Sequence, residues 1–208
     1  MLSNETFSAF FLASALLAIA PGPDNVFVLT QSALHGKRSG LVVVFGLCTG
    51  LLVHTAAVAF GVAVIFQAST LAFTLLKIIG AGYLVYLAWQ IVRATPEQIR
   101  MQSDQQKGLG TLYRRGIIMN VTNPKVSIFF LAFLPQFADP FRGPISLQMV
   151  ALGGIFITAT ILVFGAIALF GGAVGEWLNG SERAQRIMNW TAGTIFVGLA
   201  LKLVTAER

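Results

Sequence analysis

The chain has 208 residues, of which 56% are apolar and only 11% charged, with a net charge of +6 and a mean hydropathy of +0.78. A soluble domain carries charge on roughly a quarter of its residues, so this composition excludes a soluble enzyme and points to an all-α integral membrane protein. The positive balance is then a marker of topology and not a nucleic-acid footprint, and a single cysteine, Cys48, set in an apolar run, excludes a disulfide framework or a thiolate metal cluster.

A helical crossing takes about 20 apolar residues, and six segments reach that length. The first runs from about Thr6 to Leu34 and is interrupted by Pro21-Gly22-Pro23-Asp24-Asn25. Ala18-x-Ala20 before the break has the look of a signal-peptidase site. Against cleavage, no basic residue precedes the apolar run, Glu5 stands where one is expected, and Pro21 would follow the cut. Apolar residues also resume at Val26. The chain is expected to be bent there, not cut.

The second segment, about Leu41 to Phe66, has His54 as its only ionisable group. Its Gly46-x-x-x-Gly50 permits close helix approach, either inside the protein or in a homodimer. The third, about Leu71 to Val92, carries Lys77 near its outer end. Residues 95–113, with Thr95-Pro96-Glu97 and a Gln/Ser/Asp-rich centre, read as a linker. The fourth segment, about Gly116 to Phe137, is broken at Asn123-Pro124-Lys125, and its stripe of Phe129, Phe130, Phe133 and Phe137 is expected to serve packing or lipid contact. The fifth, about Ile145 to Val174, is glycine-rich and uncharged, and the sixth spans about Ile187 to Val204.

Basic residues orient these crossings. Lys37, Arg38, Arg93, Arg100, Lys107, Arg114, Arg115, Arg183 and Arg186 fall on one side, against Arg142, Lys202 and Arg208 on the other. The richer side is the cytoplasm by the positive-inside rule, which leaves both termini outside. Residues 1–94 and 114–208 then form two three-helix halves of opposite topology around the 95–113 linker. The expected fold is six transmembrane helices in a 3+3 inverted repeat with proline-broken helices 1 and 4. Interrupted segments at matching positions of such a repeat are where a transporter holds its substrate, because irregular backbone at membrane depth is tolerated only where protein or a wet cavity satisfies it.

The candidate site therefore comprises Pro21, Gly22, Pro23, Asp24 and Asn25 from the first break, with Asn120, Asn123, Pro124 and Lys125 from the second. Asp24 follows Pro23 where a half-helix would start, so it is expected either to cap that helix or to line a pathway. Asn123-Pro124 reads as an N-cap followed by proline at the first helical position, and the exposed amides of a helix start favour an anion. Lys125 lies nine residues beyond Gly116, about 13 Å at 1.5 Å per residue, too far to escape fully to the surface. Asp24 and His54 are the candidates for proton coupling, histidine being the side chain that changes charge near neutral pH. The two histidines, His35 and His54, lie on separate segments, and no Walker A loop is present. No metal site, cofactor, enzyme activity or ATPase engine is expected, so transport must run on a gradient.

Several stretches together resemble the LysE/RhtB family of amino-acid exporters. They are Pro21-Gly22-Pro23-Asp24-Asn25, the loop Gly36-Lys37-Arg38-Ser39-Gly40, Leu76-Lys77-Ile78-Ile79-Gly80-Ala81-Gly82-Tyr83-Leu84, and Asn123-Pro124-Lys125 leading into Phe129 to Phe137. The likeness spans the whole chain. It implies a secondary exporter of amino acids in the bacterial inner membrane, working as a proton-driven antiporter with the lipid bilayer, protons and the amino acid as its partners. Within that class, an amino-acid zwitterion would give its carboxylate to the Asn123-Pro124-Lys125 terminus and its ammonium to Asp24 and the Pro-Gly-Pro carbonyls. Alternatively, Asp24 pairs with Lys125 until substrate arrives. The uncharged fifth helix and the lack of a second intramembrane acid favour a neutral substrate of the homoserine, threonine or leucine type. The alternatives are a basic amino acid such as lysine or arginine, or an inorganic cation on the same architecture.

Overall fold

The structure, a computed structural model, describes residues 2–62, 70–94, 108–179 and 181–205. Helix α1 (Asn4–Ile19) is started by Ser3, whose hydroxyl accepts the Thr6 amide at 3.1 Å. It ends because Pro21 lacks an N–H and disfavours helical backbone at the residue before it, and Ala20 is accordingly extended (φ −56°, ψ 125°). Helix α2 (Pro23–His35) restarts with proline in its first turn, and its axis is turned 63° from that of α1. Gly36 then takes φ +82°, a left-handed conformation open to glycine, and lets α3 (Lys37–Ala57) follow directly. Helix α3 closes in a π turn, Val58–Val62.

Helix α4 spans Thr70–Arg93 and α5 spans Leu109–Val121. After Asn123, α6 (Pro124–Ile128) continues through a π turn, Phe129–Phe133, and a 3-10 turn, Leu134–Phe137, with a 48° bend between α5 and this second limb. Helix α7 (Ile145–Asn179) and α8 (Glu182–Thr205) complete the described chain. The loop into α7 is pinned by Gln148, whose Nε2 donates to Asp139 O (2.8 Å) and Gly143 O (3.0 Å).

All regular structure among the described residues is helical. Four helical stretches, Lys37–Gly61, Thr74–Arg93, Ile145–Gly171 and Arg183–Thr205, are long and apolar enough to cross a membrane, and each bent pair counted as one span raises the number to six. The expected fourth segment starts earlier than the hydropathy suggested, at Leu109 rather than about Gly116. Its opening turns carry Arg114 and Arg115, which an apolar ruler leaves out although helix continues through them. Most of the expected linker, residues 95–107, lies outside the described residues, as do residues 63–66 of the expected second segment.

Helix α7 is the centre of the packing, touched by α1, α2 and α3, while α3 packs along α5 and α4 along α8. One core cluster gathers Phe10, Phe129, Phe130, Phe133, Phe156 and Met149, and a second gathers Val28, Val43, Leu47, Leu112 and Phe164. The aromatic stripe is thus internal packing: Phe129 and Phe130 are fully buried, and Phe10 meets the Phe137 ring edge-on at 4.9 Å. Large apolar side chains such as Phe45, Phe60, Leu71, Ile79 and Trp190 point outward, as a lipid-facing surface requires. The Gly46-x-x-x-Gly50 motif is used inside the protein. Gly46 lies against Tyr113 and Gly116 of α5, and Gly50 against Asn120.

Candidate functional site

The two breaks face one another in the interior. At the first, Pro21 deprives the Leu17 carbonyl of its helical partner four residues on, and the turn out of helix leaves the Ala20 carbonyl free. Lys125 fills both places from across the protein: its Nζ donates to Leu17 O at 3.3 Å and to Ala20 O at 3.0 Å. The intervening Ala18 carbonyl accepts from Asn25 Nδ2 at 2.7 Å. At the C-terminal end of α1 the Leu16 carbonyl keeps the Ala20 amide, while those of Leu17, Ala18 and Ala20 are met by side chains from later in the chain.

Asp24 is 2% exposed and sits within the first turn of α2. It does not cap that helix. Gly22 occupies the cap position, with no side-chain hydrogen bond there, so the carboxylate is left to face the site. Asn120 Nδ2 reaches Asp24 Oδ2 at 3.4 Å, while Asp24 Oδ1 has no partner. Lys125 and His54 are near enough to act on this carboxylate electrostatically. Lys125 nevertheless gives its hydrogen bonds to the carbonyls, so the direct Asp24–Lys125 pairing held open from sequence is not the arrangement found.

At the second break, Asn123 caps α6 as its position before Pro124 predicts: its Oδ1 accepts the Lys125 amide at 3.0 Å. The Asn123 carbonyl accepts from Val126 N (3.1 Å) and Ser127 N (3.0 Å), and Pro124 has no N–H. No amide at this helix start is left for an anion, contrary to the sequence-based expectation. What remains is Asn123 Nδ2, buried and with no partner at hydrogen-bond distance, on a side chain that lies close to the Asp24 carboxylate. Asn25 Oδ1 and Asn120 Oδ1 are likewise buried and unpartnered. The site thus holds three orphaned acceptors, counting Asp24 Oδ1, and one orphaned donor. Buried polar groups are nearly always satisfied, so such a concentration inside one core marks a place for a polar visitor.

Besides an apolar cavity of about 600 Å³ between α1, α2 and α7 that touches Pro21 and Asn25, two cavities adjoin these groups. One, of about 10 Å³, is lined by Asp24, Asn120, Lys125, Phe156 and Thr160, and has room for about a single water. The other, of about 370 Å³, is bounded by Pro21, Gly22, Pro23, Asn123, Pro124 and Lys125 and walled by Tyr83, Leu87, Gln90, Ile91 and Phe196. It extends to Ala94 at the end of α4, beside Arg93, whose guanidinium lies 4.9 Å from the Trp89 ring centre. His54 is set one layer back. Its Nε2 donates to Asn120 O at 3.1 Å and its ring lies 5.5 Å from that of Phe130.

The candidates named from sequence are therefore brought together, with His54 reaching the site through Asn120. Sequence reasoning missed Tyr83, Gln90, Phe196 and Thr160, which belong to helices without a break. It also missed Leu17 and Ala20, which act through carbonyl oxygens, although Pro21 four residues after Leu17 marks the first of them.

A family model described as LysE type translocator matches residues 15–207. The homoserine/homoserine lactone efflux protein of Salmonella typhimurium is 33% identical over 203 residues, covering 98% of each chain. An uncharacterized membrane protein of Vibrio cholerae is 33% identical over 200 residues and 96% of each chain. Another from Bacillus subtilis is 26% identical over 203 residues, 93% of this chain and 96% of its own. No solved structure matches the chain.

Proposed function

The chain belongs to the LysE type translocator family, whose members are transporters and not enzymes, and from that premise we propose that it exports a neutral amino acid or close derivative across the bacterial inner membrane in exchange for protons. The observation that carries this reading is the meeting of two broken helices around buried, half-satisfied polar groups beside a cavity of about 370 Å³. Small-molecule sites are of this size or larger. The carboxylate of the substrate takes Asn123 Nδ2 and Lys125, and its ammonium takes Asp24 Oδ1 and the carbonyls before Pro21-Gly22-Pro23. Among the described residues none that lines the cavity is acidic, Asp24 lying beyond Lys125, which disfavours a substrate with a second cationic group. The efflux of homoserine and its lactone named for the Salmonella relative agrees with a neutral cargo.

Alternating access follows from two halves, 1–94 and 114–208, related as an inverted repeat and rocking about the site. The helix pairings support that relation. Exchanging the halves turns the contact of α1 and α2 with α7 into that of α5 with α3, and leaves α3 on α7 and α4 on α8 unchanged. The cavity reaches the side richer in Lys and Arg, so it loads from the cytoplasm, with both termini outside. Asp24 carries the proton, with His54 behind Asn120 as the second candidate.

Export of homoserine, threonine and leucine from cells at matched membrane levels tests the reading. Asp24→Asn and Lys125→Met each lower export of the favoured substrate by more than about tenfold, the worth of a lost charged hydrogen bond. Wild-type export by both would sink it.

A further inference from the structure

We propose that Lys125 is a tethered stand-in for the substrate's ammonium: its Nζ occupies the carbonyl cradle at the end of α1, and an arriving amino acid displaces it. The released lysine then turns to the substrate carboxylate. The inference rests on the reading of the chain as an amino-acid exporter and adds to it what the site does when no substrate is bound.

The cradle is a product of Pro21. Removing one amide leaves Leu17 O without its helical donor, and the turn that follows presents Ala20 O alongside it. Carbonyls at a helix C-terminus attract cations, and a primary ammonium with three donors is the group both a lysine and an amino acid bring. Lys125 is 6% exposed, so its head group is held by these oxygens and not by water. A buried lysine serving stability alone would be paired directly with the neighbouring carboxylate. Here Asp24 Oδ1 and Asn25 Oδ1 stay unpartnered on its side of the site, while Asn120 Oδ1, also unpartnered, lies against Gly50. Acceptors on Asp24 and Asn25 with a donor on Asn123 suit an ammonium and a carboxylate, and the lysine satisfies only the carbonyls.

Space points the same way. Lys125 lines both the cavity of about 10 Å³ beside Asp24 and the cavity of about 370 Å³, and so forms the partition between them. The smaller one holds a water or an ammonium head group, not an amino acid, so substrate reaches Asp24 when the lysine moves aside. Gly22 makes the lysine's position possible: a Cβ there would lie 3.1 Å from Nζ and 3.6 Å from Cε. The side chain can leave by rotamer changes along its four-carbon stem, with no backbone bond broken.

The test uses the full chain in lipid nanodiscs and three probes: homoserine, 3-aminopropan-1-ol (its amine half) and 4-hydroxybutyrate (its carboxylate half). Lys125→Met vacates the cradle, so 3-aminopropan-1-ol binds at least about tenfold more tightly than to the wild type, while 4-hydroxybutyrate binds at least about tenfold more weakly. A structural role alone would weaken both probes together. Amine affinity that is unchanged or weaker in Lys125→Met overturns the inference. Gly22→Ala, which keeps the lysine and crowds its head group, is expected to raise amine affinity in the same direction, and serves where Lys125→Met does not accumulate; no gain there overturns the inference equally. The amine readout is separate from the proposed function, which fails if the wild type neither binds nor moves homoserine or any other amino acid of a panel.

Discussion

Gly116→Ala should destabilise the protein although alanine is the better helix former. Gly116 and Gly46 sit where α5 crosses α3 with their backbones in contact. A Cβ on Gly116 would lie 2.7 Å from Val43 O and 3.1 Å from Gly46 Cα. A carbon–oxygen contact relaxes to about 3.3 Å or more, so α5 must lift from α3 by roughly half an ångström, and both neighbours are backbone that cannot rotate away. Overpacking of this kind costs about 1–3 kcal/mol, and the helix-propensity gain over glycine returns at most about 1 kcal/mol. With the full propensity gain the net loss is about 0–2 kcal/mol, and its midpoint is a fall of a few degrees in the melting temperature of a chain this long. Gly154→Ala in α7 is the control: no atom lies within 4 Å of a Cβ there, so only the propensity gain remains and the melting temperature holds or rises. Thermal unfolding of both variants in detergent micelles makes the comparison. The displacement also reaches the site, because Asn120 lies one turn beyond Gly116, so export by Gly116→Ala falls further than its stability loss explains. A melting temperature for Gly116→Ala at or above wild type would refute the close-crossing argument.

Three other outcomes follow from the same geometry. Asn123→Ser keeps an oxygen to cap α6 but removes Nδ2, so substrate affinity falls by about tenfold while the melting temperature stays near wild type; equal affinities would take Asn123 out of the carboxylate site. His54→Gln preserves a donor to Asn120 O, so substrate exchange in proteoliposomes persists while its acceleration by an imposed pH gradient is lost; a full gradient response in the variant would remove His54 from the proton route. Phe196→Ala enlarges the wall of the 370 Å³ cavity, and a panel of amino acids should shift toward larger side chains by the roughly 10- to 200-fold that pocket volume can supply, whereas an unchanged ranking would show that the side chain of the substrate binds elsewhere.

What was legible in the sequence was what acts locally. Proline removes an amide wherever it stands, so both breaks were readable at Pro21 and Pro124, and the Asn123 cap followed from its place before proline. Apolar length alone identified the long helices. Where a residue's role depends on which element it meets, the sequence carried less. Asp24 was a plausible cap by position, but the helix accepted Gly22 there and turned the carboxylate inward. Gly46-x-x-x-Gly50 announced a close contact without naming the partner, which is α5 and not a second copy. The phenylalanines after Lys125 were legible as packing or lipid contact without a choice between them, and the π turn at 129–133 places Phe129, Phe130 and Phe133 in the core. Carbonyl ligands such as Leu17 O leave no side-chain signature at all.

The second break differs from the first in a way that bears on mechanism. The expectation that a helix start would bind the carboxylate with its amides fails because Asn123 consumes them from both its side chain and its carbonyl. The first break offers backbone oxygens directly, held by the end of α1 and packed beneath Leu17, which is 1% exposed. The second offers side chains, Lys125 and Asn123, one of them on a long flexible stem. On the proposed reading, a fixed cradle opposite a lysine on a long stem divides the work unequally: the α1 end selects an ammonium without moving, while the α6 end follows the substrate. On that reading, motion that breaks Lys125 from Leu17 O and Ala20 O also loosens one of the two charged links between the broken helices, the other being Asn120 with Asp24. Substrate binding and release of that link then become a single event, which is how an exporter can make its rocking conditional on cargo.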